Sequence, residues 1–284
     1  MTVELLIPTA ILIICIGLFI YWLFFATEGV YLGKRTVIRL YDLYANRYDD
    51  IKQYDAEWEQ NTLGEPILAA LQNIPHPLIL DVATGTARFA SSLIGTGSFN
   101  GHIIGLDASL KMLEAAADKI AALPDGASRV TFVHQDAQAL PFDDSTFDAV
   151  ACLEALEFVP NARKVVAEIV RVAKPGALIV LTNRKGWQTL LYPFKTQTTK
   201  AFTAYLRGLG LEDVTAILWQ MDYDLIWAFK PGLLPTTELA SIAASLRCPN
   251  QHRALVASGT SLRCTECGAT LPIDAHGIIG YELP

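Results

Sequence analysis

From Pro77 onward, short apolar runs alternate with helix-period patterns, and that alternation restricts the fold more than any other feature of the chain. LILDVA (78–83), HIIGLD (102–107), RVTFVHQD (129–136), FDAVACLE (147–154) and ALIVLTN (177–183) read as buried strands. Between them, ARFASSLI (87–94) reads as a helix closed by Gly95. SLKMLEAAADKI (109–120) places Leu110, Leu113, Ala117 and Ile120 on one face behind a Ser109 N-cap. NARKVVAEIVRVA (161–173) turns Val165, Val166, Ile169 and Val172 inward and is stopped by Lys174-Pro175-Gly176. Crossovers this short predict a parallel sheet with helices on both faces. After a helix over Thr199–Leu209, the runs DVTAILWQ and DYDLIWAF are joined too tightly for a crossover and must pair antiparallel. The expected architecture is α/β: a doubly wound, mostly parallel sheet of seven strands.

The chain holds 52% hydrophobic and only 18% charged residues, and the apolar excess is concentrated at one end. The run LLIPTAILIICIGLFIYWLFFAT (5–27) carries no charge. As a helix it extends roughly 34 Å, enough for a hydrocarbon core of about 30 Å. Pro8 is expected within the first turn, and Tyr21 and Trp22 at the lipid–water boundary. No basic region precedes the run and no small-x-small cleavage site follows it, so a retained single-pass anchor is expected over a signal peptide. Lys34, Arg35, Arg39 and Arg47 follow the span, which places the rest of the chain in the cytoplasm by the positive-inside rule. The net charge of −7 argues against a phosphate-backbone binder. Pro231–Pro235 reads as a linker, and the stretch from 246 to 284 as a separate small module with three of the five cysteines.

The loop Asp81-Val82-Ala83-Thr84-Gly85-Thr86-Ala87-Arg88 joins the first strand to its helix. In open α/β sheets ligands bind outside the carboxyl ends of the strands, near the switch point. Small residues at 83, 85 and 87 allow close approach to the backbone, and a helix N-terminus favours an anionic group. Asp107, ending the second strand, suits a ribose diol, and Asp136-Ala137 ends the third strand beside the same crevice.

In these motifs the chain resembles the class I S-adenosylmethionine-dependent methyltransferases, most closely the ubiquinone/menaquinone-biosynthesis-like (type 11) group. The resemblance runs from about residue 37 to 230. It is carried by LILDVATGTARFA, IIGLDASLKML, VHQDAQALPFDDSTFDAV and RVAKPGALIVL, with YDLYANRYDD (41–50) upstream. The chain departs from the pattern at Ala83 and Ala87, where that family often has glycine. The resemblance implies a Rossmann-like methyltransferase domain with S-adenosylmethionine as cofactor. It implies that Asp81 and Gly85 meet the methionine end of that cofactor, that Ala83 is among the residues binding it, and that Asp107 holds the ribose. Ser109 and Met112 would border the adenine, Asp136 and Ala137 its edge. Leu153 and Glu154 would face the sulfur, and Tyr48 would close over the site.

The expected reaction is in-line methyl transfer to a lipid or isoprenoid-linked small molecule at the cytoplasmic membrane face. Holding both partners in line can supply roughly 7–11 kcal/mol in such a transfer. Glu154 is the expected catalytic residue, with Glu157 and His134 as further candidate bases. The segment WQTLLYPFKTQTTK (187–200) is the natural substrate lid, its apolar Trp187, Leu190, Leu191, Tyr192 and Phe194 accompanied by Lys185, Lys195 and Lys200. A nicotinamide-dependent reductase is the alternative enzyme, although G-x-G-x-x-G is absent. A non-catalytic anchored scaffold is the alternative without chemistry.

Cys264-Thr265-Glu266-Cys267-Gly268 forms half of a zinc ribbon. Upstream, Cys248 is followed by Gln251 where a second cysteine belongs, so His252 is the expected fourth ligand of a structural Cys3His zinc site, the alternative being a degenerate ribbon held by apolar packing with free thiols. The tail resembles short zinc-ribbon proteins that partner and activate methyltransferases.

Overall fold

The computed structural model describes residues 3–235 and 242–281, so the last three residues of the expected C-terminal module lie outside it. Among the described residues the strands are β1 (Leu78–Val82), β2 (His102–Asp107), β3 (Val130–His134), β4 (Phe147–Cys152), β5 (Ala173–Arg184), β6 (Glu212–Leu218), β7 (Tyr223–Phe229), β8 (Leu255–Ser258), β9 (Ser261–Cys264), β10 (Thr270–Pro272) and β11 (Ile279–Gly280). The main sheet runs β11-β3-β2-β1-β4-β5-β7-β6. β1 to β5 are parallel, and β7 lies antiparallel between β5 and β6. The chain crosses from one side of β1 to the other when it enters β4, so the switch point lies between these two strands.

β1 is buried at all five positions because helices cover both faces of the sheet. Leu78, Leu80 and Val82 pack with Val165, Val166, Ile169 and Val172, while Ile79 packs with Phe89, Leu93 and Leu113 on the other side. The helix Ala162–Val172 carries the expected inward face behind Asn161, whose side chain accepts from the Lys164 amide. The helix Leu110–Ala121 is capped by Ser109 as expected, but its buried face is Met112, Leu113, Ala116 and Ile120, leaving Leu110 exposed. Lys174-Pro175-Gly176 does not separate helix from strand. These residues already belong to β5, where buried Lys174 is paired with Asp148 at 2.7 Å and the Gly176 amide donates to the Lys230 carbonyl.

The eighth strand of the sheet comes from the tail. β8, β9 and β10 form a three-stranded antiparallel sheet, after which β11 pairs in parallel with the edge strand β3. The Tyr281 amide donates to the His134 carbonyl, and its hydroxyl to the Arg247 carbonyl. Arg247 and Arg253 both pair with Asp143, tying the tail to the loop before β4. An exposed parallel edge strand invites pairing with other chains, and β11 covers this one.

At the other end, α1 (Val3–Tyr21) continues into a π-helical turn over Trp22–Ala26. Among the described residues it supplies the one segment, Ile7–Ala26, long and apolar enough to cross a membrane, and none of that segment is buried against the rest of the protein. Pro8 lies inside α1 and not in its first turn, because the helix already starts at Val3. The foot of the helix is fastened to the segment after β5. Trp22 Nε1 donates to the Leu191 carbonyl at 3.1 Å, and the Tyr192 hydroxyl to the Ala26 carbonyl at 3.0 Å. Trp22 also stacks on Tyr31, whose hydroxyl donates to the Pro193 carbonyl. Two further helices, α2 (Lys34–Tyr44) and α3 (Tyr48–Lys52), lead from this foot across the carboxyl ends of the strands.

Candidate active site

The loop after β1 turns so sharply that three of its residues take left-handed backbone angles: Ala83 (φ 58°), Gly85 (φ 54°) and Ala87 (φ 60°). Glycine adopts that region without strain, whereas alanine loses roughly 1–2 kcal/mol there. The geometry therefore explains why the family pattern has glycine where this chain has Ala83 and Ala87. At Gly85 a side chain would meet open space, so a ligand can lie against the backbone there.

Two adjoining cavities occupy the crevice. The larger, about 120 Å³, is lined by Tyr48, Ala83, Gly85, Asp107, Ser109, Asp136, Ala137, Leu153 and Glu154 among others. The smaller, about 40 Å³, is lined by Asp81 and shares Tyr48, Ala83, Gly85, Leu153 and Glu154 with the first. All but one of the residues expected around the cofactor thus converge here. Met112 is the exception: it is fully enclosed in the core and lines neither cavity. Its place in the motif reflects helix–sheet packing.

Asp107 accepts from the Gly85 amide at 2.9 Å and the Ser109 amide at 2.8 Å, which fixes the loop against the end of β2. Burial raises its pKa against those two hydrogen bonds. Asp81 is fully enclosed and accepts from the Thr84 hydroxyl at 2.5 Å. Burial, together with the nearby Asp107 charge, pushes its pKa up to about 7 despite that hydrogen bond. Asp136 is engaged by Lys34 at 2.8 Å. Burial opposes its ionised form, but Lys34 and the Gln138 amide hold its pKa below the ordinary value.

Glu154 sits at a strained backbone position (φ 51°) just past β4, where its amide donates to the Thr182 hydroxyl. Its carboxylate meets Lys52 at 3.2 Å and Arg88 at 3.3 Å. Burial alone would raise its pKa; the two cations outweigh burial and lower it. A carboxylate held ionised in this way is a poor proton acceptor and a good fixed charge. Burial pushes the Tyr48 hydroxyl up to about 12, so it stays a phenol. Lys52 is raised by its anionic neighbours in spite of burial and stays protonated.

The other candidate bases lie elsewhere. Glu157 is buried in a cluster with Arg184 and the Tyr223 hydroxyl and lines neither cavity. His134 reaches the Ala108 carbonyl and faces the cleft beneath the tail.

Sequence reasoning missed the roof of the site. Lys34, Val37, Ile38 and Tyr41 of α2 line the larger cavity, and Glu59, Arg88 and Trp219 line the smaller. Beyond the Lys34–Asp136 and Lys52–Glu154 pairs, Asp42 accepts from the Ser109 hydroxyl and Asp49 from the Thr86 hydroxyl, both at 2.6 Å. The readable signal was the amphipathic pattern of α2, with Val37 and Tyr41 one turn apart beside charged residues. Among the described residues, Glu59 Oε2, Arg88 Nε and Trp219 Nε1 are buried without a partner, and all three residues line the smaller cavity. Buried polar atoms are almost always satisfied, so orphans of both polarities around one cavity fit a zwitterionic ligand end.

Residues 80–181 match the family model described as a methyltransferase domain. Over 103 residues the chain is 43% identical to a demethylmenaquinone methyltransferase from Clavibacter sepedonicus, covering 36% of this chain and 39% of that one. It is 34% identical over 146 residues to the enzyme of the same description from Shouchella clausii, covering 51% and 58%. The chain thus spans about half the length of these curated relatives or less. Its fold is similar to that of a Methanococcus maripaludis protein described as a candidate S-adenosyl-L-methionine-dependent methyltransferase, with TM-score 0.54 and 18% identity, covering 68% of this chain and 94% of that one.

In the tail, one ligand atom from each of Cys248, His252, Cys264 and Cys267 lies within 4.8 Å of every other. Cys248 Sγ lies 3.7 Å from Cys267 Sγ and 3.6 Å from His252 Nδ1, and Cys264 Sγ lies 3.7 Å from His252 Nδ1. A tetrahedral zinc with Zn–S bonds of about 2.3 Å places its sulfurs roughly 3.8 Å apart. The donor set and spacing fit that ion.

Proposed function

We propose that this protein transfers a methyl group from S-adenosylmethionine to a quinone-type, membrane-dissolved aromatic acceptor. The observation that carries the reading is the double cavity at the switch point. One part is bordered by Asp107 and apolar residues and suits a nucleoside; the other holds Asp81 and the orphaned Glu59, Arg88 and Trp219 atoms and suits an amino-acid end. The acceptor class is taken from the quinone methyltransferases that the chain resembles.

Bound there, S-adenosylmethionine supplies an electrophilic methyl group. The chain's own part is to bind, orient and exclude water. Asp107 and the loop amides set the position of the sugar. Leu153, Tyr48 and α2 keep solvent from the space above Glu154. The charge of Lys52 beside that space favours a phenolate over a phenol in the acceptor, so that a ring bearing hydroxyls is nucleophilic without a strong protein base.

The apolar helix serves as a single-pass membrane anchor with the catalytic domain on the cytoplasmic side. The exposed Trp187, Leu190 and Phe194, fastened to its foot, rest on the bilayer surface. The tail binds one structural zinc through Cys248, His252, Cys264 and Cys267.

Calorimetry on the intact chain tests the reading: S-adenosylmethionine and its demethylated product bind and NADH does not. Membranes given labelled methyl donor and a demethylated naphthohydroquinone acquire label in lipid. Binding of NADH alone would make the protein a reductase; binding of none of the three would make it a scaffold.

A further inference from the structure

A third cavity, of about 230 Å³, lies between the foot of the apolar helix and the α2–α3 turn. Phe24 and Phe25 form its wall on the helix side; Leu40, Tyr44, Ile51 and Lys52 form much of the other. Its inner wall is Tyr41 and Tyr48, and both residues also line the larger cavity of the crevice. Their rings stand 6.0 Å apart, centre to centre. Lys52 joins the two spaces as well, since it borders this cavity while its ammonium touches Glu154, a wall residue of the donor crevice.

We propose that this cavity is the port and binding site of the acceptor, and that it takes a hydroxylated aromatic ring with an apolar tail directly from the bilayer. The inference rests on the methyl-transfer reading and adds to it where the second substrate sits and how it arrives. Three observations carry it. Phe24 and Phe25 lie within the membrane-length segment, so the wall they form is continuous with the apolar surface of the span. Leu43, Tyr44 and Ile51 are exposed on the adjoining helices, which is costly in water and favourable against lipid. Inside, the lining is aromatic and aliphatic except for Glu28 and Lys52, one acceptor and one donor. That composition suits a ring with hydroxyl groups and offers little to a charged or sugar-like acceptor. The tail would stay among lipid chains while the ring rests against Tyr41 and Tyr48, the two residues that also wall the donor crevice.

The test uses the full-length protein in phosphatidylglycerol vesicles, with an azide-bearing naphthoquinone on a short isoprenoid tail as photoprobe. Adducts are expected on the peptide spanning residues 24–52. Ile51→Trp fills the cavity from an exposed position, so folding is preserved, which the thermal midpoint verifies. It is expected to abolish labelling and raise the KM for a vesicle-dissolved naphthohydroquinone about tenfold or more, the loss that follows when a site is filled. Affinity for S-adenosylmethionine is expected to stay within about twofold, because Ile51 touches neither donor cavity. Adducts confined to other segments, or labelling and KM unchanged by Ile51→Trp, would overturn the port. If the wild-type chain fails to bind S-adenosylmethionine, the methyl-transfer reading fails separately and the labelling alone decides the port.

Discussion

Asp81→Asn is the sharpest single perturbation of the donor site. Burial, with the Asp107 charge beside it, pushes the Asp81 carboxyl up to about 7 from an ordinary 3.8. Between those two values the folded chain keeps a proton that the unfolded chain has lost, so stability falls as pH rises through that window and levels off above it. At 1.36 kcal/mol per pH unit, holding the carboxylate ionised costs the fold about 4 kcal/mol. A ligand ammonium would meet that charge and recover part of the cost. The ligand then binds the ionised form, and a carboxyl pushed up to about 7 passes from mostly protonated at pH 5.5 to largely ionised at pH 7.5. Affinity for S-adenosylmethionine is therefore expected to rise by about an order of magnitude across that interval, with proton release on binding at pH 6.5. Asparagine keeps an acceptor for Thr84 and removes the titration. Calorimetry in buffers of different ionisation enthalpy counts the protons directly. In Asp81→Asn the pH slope is expected to flatten and the stability at pH 8 to rise. A flat affinity profile in the wild type, or an unchanged slope in Asp81→Asn, would refute the assignment of Asp81 to a cationic ligand group.

Arg88→Met strands the buried Glu59 and leaves Glu154 with Lys52 alone, and is expected to cost about 3–5 kcal/mol, with a larger loss at pH 8 than at pH 5 by thermal unfolding. Ala83→Gly relieves a left-handed alanine and is expected to raise stability by up to about 1 kcal/mol, as chemical denaturation would show. Elemental analysis is expected to find about one zinc per chain; Cys264→Ser or chelation should lower the content and speed amide exchange at the β3 edge that β11 covers. Replacing Trp187 and Phe194 by serine should weaken binding to lipid vesicles while turnover of a soluble acceptor analogue holds; equal losses on both would count against a membrane-facing segment.

The sheet and the crevice were readable because their signals are local. Each strand of the parallel core carries a short, mostly apolar run, and Asp81, Asp107 and Asp136 lie at or just past strand ends that fall side by side once β1, β2 and β3 pair in order. The eighth strand was not readable: Ile279–Gly280 is too short to show a period, and only Val133 and His134, far back in the chain, make it a strand. The roof was missed for a related reason. Lys34 meets Asp136 and Lys52 meets Glu154 across 102 positions of sequence, and no pattern within α2 or α3 names those partners. The omission matters most at Glu154. Its place just past β4 predicts a carboxylate near the reacting centre, and burial at that place predicts a raised pKa fit for a base. Lys52 and Arg88 reverse the second prediction and leave the first intact. The chemistry that remains for Glu154 is to hold Lys52 at the boundary between the donor crevice and the third cavity. There the cation, and not the carboxylate, faces the space an acceptor would fill.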